Sequence, residues 1–343
     1  MPNKKYDTVV YIGRFQPLHN AHVEIIRRAK SLADNLVIII GSANQPRTYK
    51  NPFTTEERIA MIHNLATRVG DPTCSVFLDT NRDSLYNNQA WAARVQGIVS
   101  KYSTLGGKTA IIGHDKDEST FYLKMFPQWT HEDVELLEPL NATDIRDLYF
   151  RKDAHEGFIR HVVPDSTFKF LLDFMKTDAY QQVICEREFI DAYKKQYASF
   201  PYPPTFVTVD AVTICSGHVL MIRRRAEPGR GLWALPGGFL DAATDTSVQD
   251  AMIRELREET GIKVPAPVLV GSIQDNKVFD AIGRSARGRT ITHAFKIVLP
   301  DGDLPKVKGS DDADKAQWVP IAEVASEDCF EDHYDIIQHF VGA

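Results

Sequence analysis

The chain has 343 residues, with 40 Lys and Arg against 46 Asp and Glu, a formal net charge of −6 and a pI near 6.0. This length predicts two domains, each large enough for its own core. Because the charge is mildly acidic and no long basic run occurs, nucleic acid and anionic membrane are not expected as partners. No C-x-x-C pair links the cysteines, which argues against a zinc ribbon or a disulfide framework.

The start of the chain is polar, and the longest apolar run near it, Leu36 to Ile40, is too short for a signal sequence or a membrane span. We therefore expect a cytoplasmic protein without membrane contact. The sequence is silent on oligomeric state, so a homo-oligomer stays open.

The first half of the chain alternates between strand and helix patterns. The predicted strands are Thr8–Ile12, Leu36–Gly41, Ser75–Leu78 and Ala110–Gly113, and the predicted helices are Ala21–Ala33, Thr55–Leu65 and Trp91–Tyr102. Strict alternation predicts an α/β domain with a doubly wound parallel sheet. Ligands of such sheets bind beyond the carboxyl ends of the strands.

The loop after the first strand reads Gly13-Arg14-Phe15-Gln16-Pro17-Leu18-His19-Asn20-Ala21-His22. We expect Gly13 to allow a sharp turn, and His19 and His22 lie at i and i+3 where a helix begins. Helix amides and imidazole donors together form an anion site. A packed histidine pair is the alternative, and zinc would need a third ligand that the sequence does not supply.

A proline-rich stretch from Ala198 to Thr205 predicts an extended connector. It follows a helical segment over 165–197 and precedes β-rich runs, which predicts an α+β second domain. The predicted bounds are 1–197 for the first domain, 198–205 for the linker and 206–343 for the second domain. The predicted strands after the linker are Phe206–Ile214, Val219–Ile222 and Thr290–Leu299.

Gly237-Gly238 is followed by Arg254-Glu255-Leu256-Arg257-Glu258-Glu259-Thr260-Gly261-Ile262. On a helix, Glu255, Glu258 and Glu259 share one face, which is unfavourable unless a cation lies between them. Mg²⁺ is the natural occupant, with Mn²⁺ as an alternative. A solvated acidic face is the other interpretation, but the paired glycines, the adjacent arginine and a glycine placed as a C-cap favour metal.

This second pattern resembles the Nudix box, and the resemblance implies hydrolysis of a nucleoside diphosphate derivative, with Glu258 both catalytic and a metal ligand. The spacer is longer than the family norm and lacks its usual Gly-Glu, so that Asp241 and Asp245 are the nearest acids. Arg287-Gly288-Arg289 is similar to a stretch of the ADP-ribose pyrophosphatases in that family. The similarity implies that both arginines bind a diphosphate, whereas an exposed cationic loop would contain the same residues.

The Gly-x-Phe-x-Pro-x-His-x-x-His loop resembles the nucleotidyltransferase superfamily, which implies a Rossmann-like first domain. Segments Gly41–Arg58, Asn87–Trp91 and Asn141–Arg146 resemble the archaeal-type nicotinamide mononucleotide adenylyltransferases. The resemblance implies that ATP is a substrate and that His19 and His22 contact its triphosphate. It also implies that Arg146 holds the outer phosphates, that Thr143 adds a hydroxyl and that Arg14 completes the charge clamp. It also implies further contacts from Gly13, Phe15, Lys50, Asn88, Trp91, Gly113 and Asp115, although Trp91 packed in the core is an alternative.

The fused arrangement resembles the bifunctional nicotinamide mononucleotide adenylyltransferase/Nudix hydrolases. It implies NAD synthesis from nicotinamide mononucleotide and ATP, together with metal-dependent hydrolysis of ADP-ribose to AMP and ribose 5-phosphate. Two alternatives stay open. The first domain would act on another acceptor such as phosphopantetheine, or the second domain would sense a nucleotide without hydrolysing it.

Overall fold

A computed structural model describes residues 4–114, 118–134, 141–151, 156–309 and 313–342. The chain divides into two compact units, Met1–Ile184 and Cys185–Ala343. This division falls inside a helix, Asp178–Lys195, and the bounds expected from the proline-rich stretch stay a prediction. A search of the described helices finds none long and apolar enough to cross a membrane.

The first unit contains a sheet of five parallel strands in the order β3-β2-β1-β4-β5. The strands are β1 Tyr6–Gly13, β2 Ala33–Ile40, β3 Ser75–Thr80, β4 Thr109–Gly113 and β5 Thr130–Asp133. The helices are α1 Asn20–Leu32, α2 Thr55–Ala66, α3 Asn88–Ser100, α4 Ala142–Tyr149, α5 Glu156–Val162, α6 Asp165–Phe174 and α7 Asp178–Lys195. The order reverses at β1, so the ends of β1 and β4 lie at the switch point where such sheets bind ligands.

Alternate residues of the central strands face opposite sides of this sheet. Val9 and Ile38 belong to one buried cluster, whereas Val10 and Ile39 belong to another that also contains Val95 of α3. Both faces are therefore covered, as the near-continuous apolar strands require. The predicted doubly wound sheet is confirmed.

The second unit contains a mixed sheet of seven strands with β10-β11-β6-β7-β12 as its main path. The strands are β6 Thr205–Cys215, β7 His218–Arg224, β8 Trp233–Ala234, β9 Gly237–Phe239, β10 Ile273–Phe279, β11 Arg289–Val298 and β12 Ala313–Pro320. The short strand β9 pairs with β6, and β8 pairs with β7. Only the β6–β11 pair is parallel among the described pairs of this sheet.

Within the described residues that follow the linker, the α-helices are α8 Val248–Thr260, α9 Ala266–Gly271 and α10 His333–Val341. Helix α8 buries Met252 and Leu256 in the core against the sheet. It begins at the Ser247 cap, whose side chain accepts a hydrogen bond from the Asp250 amide, and it ends at Gly261 with φ 55°. The expected glycine C-cap is therefore present, because glycine adopts this left-handed conformation without strain.

The predicted strands and helices of both halves are present, with ends that shift by a few residues. The helical segment over 165–197 is two helices, because α6 ends at Phe174 and the Thr177 side chain accepts a hydrogen bond from the Tyr180 amide at the start of α7. Several elements were not predicted, among them the strands β5, β8, β9, β10 and β12 and the helices α5, α9 and α10. They carry too few residues, or too little periodicity, to be recognised alone.

Candidate active sites

The first candidate site begins at the carboxyl end of β1. The loop turns at Phe15, which has φ 52°, and not at Gly13 as expected. Gly13 is required for another reason: a Cβ there would lie 2.8 Å from Cζ of the buried Phe15 ring. Phe15 thus contacts Gly13, and its ring centroid lies 4.7 Å from that of His22. The buried Phe15 ring therefore supports the loop.

His19 and His22 lie together where α1 begins, with ring centroids 3.7 Å apart. The His19 amide donates to Nδ1 of His22 at 3.2 Å, which fixes the orientation of the His22 ring. Nδ1 of His19 has no hydrogen-bond partner within the described part of the chain. Burial lowers the pKa of His19 to about 4, and burial followed by the proximity of His19 lowers the pKa of His22 well below 6.5. Both imidazoles are therefore neutral at pH 7.

Two arginines predicted from the sequence flank these histidines. Arg14 donates from Nη2 to the Lys50 carbonyl at 2.6 Å and to Oδ1 of Asn51 at 2.8 Å. Arg146 donates to the Gln16 carbonyl at 2.8 Å and to the Thr143 hydroxyl at 3.1 Å. Each Nε atom is buried and lacks a partner among the described residues. These guanidinium groups keep donor capacity for a ligand.

Arg58 of α2 is a site residue whose role the sequence did not reveal. Its side chain is 1% exposed and donates to the carbonyls of Arg14, Gly41 and Ser42 at 2.6–3.0 Å. It therefore joins the loops that follow β1 and β2. Its one signal was its place as the last residue of the Gly41–Arg58 segment.

Arg14 is close enough to repel both Arg58 and Arg146. Burial and the charge of Arg14 lower the pKa of Arg58 and of Arg146 to about 10, and burial lowers that of Arg14 itself. Clustered buried cations that cost each other stability are the electrostatic signature of a site for an anion.

The other predicted contacts of this site fare differently. Trp91 is half-buried and its ring lies about 6 Å from those of Tyr122 and Phe126, so the packing interpretation describes at least one of its faces. Asn88 is exposed at the start of α3. Gly113 is buried at the end of β4, where a Cβ would lie 3.0 Å from Leu123. Asp115 lies outside the described residues.

The second candidate site lies where β9 faces α8. A Cβ on Gly237 would lie 2.1 Å from the Val209 carbonyl oxygen, and one on Gly238 would lie 2.5 Å from Oε1 of Glu255. Gly237 therefore excludes every side chain because of backbone packing, whereas a side chain at Gly238 would displace the Glu255 carboxylate. The predicted close backbone approach is present.

The three glutamates of α8 differ in burial. Glu259 is 7% exposed, Glu255 is half-buried and Glu258 is exposed. Burial raises the pKa of Glu259 to about 8, and the charge of Glu255 adds to that rise; burial also raises the pKa of Glu255. The Gly237 amide donates to Oε2 of Glu259 at 2.9 Å and so fixes its direction.

Arg254 organises the outer part of this acidic site. It donates to Glu255 and Glu258 at 2.8 and 3.0 Å and makes a forked pair with Asp245 at 2.8 and 2.9 Å. This pair lowers the pKa of Asp245 to about 2. Asp245 of the lengthened spacer thus holds Arg254, a role that the sequence did not assign.

These carboxylates fit a divalent cation by their chemistry. Glu259 is buried and Glu255 is half-buried beside it, and a glycine without a side chain opens the approach to Glu255. As the side chains stand, no three His, Cys, Asp or Glu residues in the described ranges converge on a metal position. Arg254, bonded to both Glu255 and Glu258, is the positive charge now between them.

The two arginines predicted to bind the diphosphate have different surroundings in the structure. The Arg287 guanidinium lies over the Phe239 ring at 4.9 Å, and its Nε is buried without a partner among the described atoms. Arg289 donates to the Asp280 carbonyl and is about one-third exposed. Arg287 is therefore placed beside β9, whereas Arg289 fits the alternative of an exposed cationic loop.

Two family models match the chain side by side, Cytidylyltransferase-like over residues 10–146 and NUDIX domain over residues 204–340. The nicotinamide/nicotinic acid mononucleotide adenylyltransferase of Acinetobacter baylyi is 38% identical over 181 residues, which are 52% of this chain and 92% of that protein. The ADP-ribose pyrophosphatase of Methanocaldococcus jannaschii is 32% identical over 124 residues, which are 36% of this chain and 66% of that protein.

Fold and sites together define a nucleotidyltransferase domain joined to a Nudix domain. A solved structure from Francisella tularensis, a bifunctional NMN adenylyltransferase/ADP ribose pyrophosphatase complexed with AMP and a manganese ion, is 35% identical with a TM-score of 0.88. The match covers 98% of this chain and 99% of that one. This chain belongs to the same family of bifunctional two-domain proteins, as the sequence resemblance predicted.

Proposed function

We propose that the chain is an enzyme with two activities. The first unit transfers the adenylyl group of ATP to nicotinamide mononucleotide, which forms NAD and pyrophosphate. The second hydrolyses ADP-ribose to AMP and ribose 5-phosphate with the aid of Mg²⁺ or Mn²⁺. The names of the similar proteins from Acinetobacter baylyi, Methanocaldococcus jannaschii and Francisella tularensis support both assignments.

The observation that carries the first activity is the cluster at the start of α1. His19, Arg14 and Arg146 each hold a buried nitrogen without a partner among the described residues, beside a helix N-terminus at the sheet's switch point. Unpartnered buried donors are costly. A triphosphate would supply the missing acceptors and would relieve the repulsion among the arginines.

Adenylyl transfer needs positioning and charge stabilisation and no covalent nucleophile. A phosphate oxygen of nicotinamide mononucleotide forms a bond to the α-phosphorus of ATP, and the bond from that phosphorus to the β-bridging oxygen breaks, which releases pyrophosphate. Arg146 and Arg14 neutralise the charge that grows on the leaving pyrophosphate. His19 is neutral and donates a hydrogen bond without adding charge. Trp91, Asn88, Lys50 and Asp115 remain proposed contacts of the acceptor nucleotide.

The observation that carries the second activity is the buried Glu259 with the half-buried Glu255 beside the Gly237–Gly238 segment. When bound, a divalent cation supplies charge neutralisation for the diphosphate and a more acidic water. Glu255, Glu258 and Glu259 would hold it, in competition with the ion pairs that Arg254 makes with Glu255 and Glu258. Water forms a bond to one phosphorus while the bridging P–O bond breaks, and Arg287 is placed to bind the diphosphate.

We further propose that small molecules are the partners and that nucleic acid is not one, because the chain carries no long basic run. A homo-oligomer stays open, as does cytoplasmic location. The alternatives also remain testable, since an adenylyltransferase for phosphopantetheine would make no NAD and a sensing Nudix domain would bind ADP-ribose without cleaving it.

The test incubates the full chain and Mg²⁺ with nicotinamide mononucleotide plus ATP, and separately with ADP-ribose, and separates the products by chromatography. We expect NAD from the first reaction and AMP from the second. A Glu258→Gln variant should lose the second activity and keep the first. Absence of NAD would refute the first assignment, and binding of ADP-ribose without AMP would replace hydrolysis by sensing.

A further inference from the structure

A network of buried polar side chains lies behind the Gly237–Gly238 segment, and neither the Nudix box nor the mechanism above uses it. We call it the Asp210 network, and it comprises Asp210, Arg284, Thr292, Asp332 and His333. Each member is 7% exposed or less. Buried charges of this kind are retained only where they are paired or serve a purpose.

The members are joined through Asp210 and Asp332. Thr292 donates to Oδ2 of Asp210 at 2.5 Å, and Arg284 makes a forked pair with Asp332 at 2.8 Å for both bonds. Arg284 also lies 4.0 Å from Oδ2 of Asp210, and Nε2 of His333 lies 3.8 Å from its Oδ1. Segments from β6, β11, the loop before β11 and the start of α10 are thereby held together.

Two contacts connect this network to the glycine segment. The Leu235 amide, two residues before Gly237, donates to Nδ1 of His333 at 2.8 Å. Asp210 faces Gly237 in the register of β6 and β9, with its Oδ1 only 2.9 Å from the position of a Cβ on that glycine. The Gly237 amide then donates to Glu259 at 2.9 Å. The network thus fixes the amide that orients a carboxylate of the acidic site.

We infer that the Asp210 network is a positioning device for the metal site. It holds the Leu235–Gly238 backbone so that the Gly237 amide turns the Glu259 carboxylate toward the cation. His333 is the central positioning residue, because it alone among the described side chains bonds the Leu235 amide. This inference rests on the proposed hydrolase function, since it needs a cation at Glu259.

The test measures Mn²⁺ binding to the full chain by electron paramagnetic resonance, without nucleotide. The component that Glu259→Gln removes is binding at the acidic site. His333→Ala should weaken that component about tenfold. His333→Asn should restore it to within about threefold, because an asparagine oxygen reaches the position of Nδ1 and accepts the Leu235 amide. His218→Ala is the matched control. Among the described residues, the only hydrogen-bond partner of the His218 side chain is the carbonyl of Ser216, which lies in a turn.

An unchanged affinity in His333→Ala, or an asparagine variant as weak as the alanine variant, would overturn the inference. Thr292→Val keeps the side-chain volume and removes one bond to Asp210, so it provides a second measurement if His333→Ala does not fold. We expect it to weaken Mn²⁺ binding about threefold, and wild-type affinity would count against the network. If Glu259→Gln leaves Mn²⁺ binding unchanged, the proposed metal site itself fails.

Discussion

In both sites of this chain burial shifts the pKa values of charged side chains, but the charges have opposite signs. In the first unit, burial lowers the pKa of Arg14, Arg58 and Arg146, so cations are held at a cost. In the second, burial raises the pKa of Glu255 and Glu259, so carboxylates are held at a cost. In each case the cost indicates the sign of the charge on the ligand. The first site is preorganised for an anion and the second for a cation.

The comparison also explains how each site limits its own charge. The first site contains histidines that burial keeps neutral, which add donors without adding repulsion. The second contains Arg254, which neutralises Glu255 and Glu258 until a metal competes with it. We therefore expect a polyphosphate to use the donors that are already present in the first site, whereas a divalent cation would compete with Arg254 in the second.

The largest expected effect is at Arg146. Arg146→Ala should lower kcat/KM for NAD formation by about a thousandfold, because it removes the guanidinium that we propose neutralises the leaving pyrophosphate. Arg146→Lys should retain part of the activity, since it keeps the charge and loses the fork. Steady-state kinetics on both variants provide the measurement, with ADP-ribose hydrolysis as the control for the amount of intact chain. A loss of less than tenfold in the alanine variant would show that the anion is held elsewhere.

The next largest effect is expected at Glu259, where the substitution removes a negative charge and not a positive one. Glu259→Gln should lower ADP-ribose hydrolysis by about a hundredfold and leave NAD formation unchanged, because a buried carboxylate and its cation attraction are lost. Glu327→Gln, an exposed glutamate of the same unit, is the matched control. Equal hydrolysis by the two variants would contradict the assignment, and so would a parallel loss of NAD formation.

The sequence predicted the sheet of the first unit because its strands are apolar runs separated by capped helices, and local patterns carry that information. It also named His19, His22 and the three glutamates as candidates from their spacing, and Arg146 from the family resemblance, and their roles stay predictions. Arg58 was not assigned a role, since its three carbonyl partners come from loops that only the folded sheet brings together.

The second unit shows the same limit more clearly. Asp210 and Asp332 are separated by more than a hundred positions in the printed chain, and no local pattern relates them. Their approach depends on β6 and α10 meeting around Arg284. Gly13 was expected to supply the turn, yet its role is to accommodate the Phe15 ring, which depends on a rotamer that sequence spacing does not specify.

A third prediction concerns acid sensitivity of the first unit. The pKa of His19 is about 4 when folded and that of His22 lies well below 6.5, whereas both titrate near pH ~6.5 when unfolded. Between these values the unfolded chain binds more protons, so the free energy of unfolding falls as pH falls from about 6.5 towards 4. His19 alone contributes up to about 3 kcal/mol over that interval.

Urea unfolding of the full chain at pH 7.5 and pH 5, with pulse-labelled hydrogen exchange of β1 peptides, measures this effect. A variant with His19→Asn and His22→Gln should lose less stability than the wild type on acidification, because its side chains do not titrate there. Identical losses in both proteins would assign the acid sensitivity to other groups.

The smallest expected effect concerns Asp245 of the lengthened spacer. Asp245→Asn should raise the Mn²⁺ concentration for half-maximal hydrolysis about threefold to tenfold. Without the forked carboxylate, Arg254 keeps only Glu255 and Glu258 as ionic partners among its described contacts and competes more strongly with the metal. Asp241→Asn is the matched control, because Asp241 is exposed and forms no described ion pair with Arg254. If both variants require the same Mn²⁺ concentration, Arg254 does not compete with the cation and the contrast between the two sites is weaker than the charges indicate.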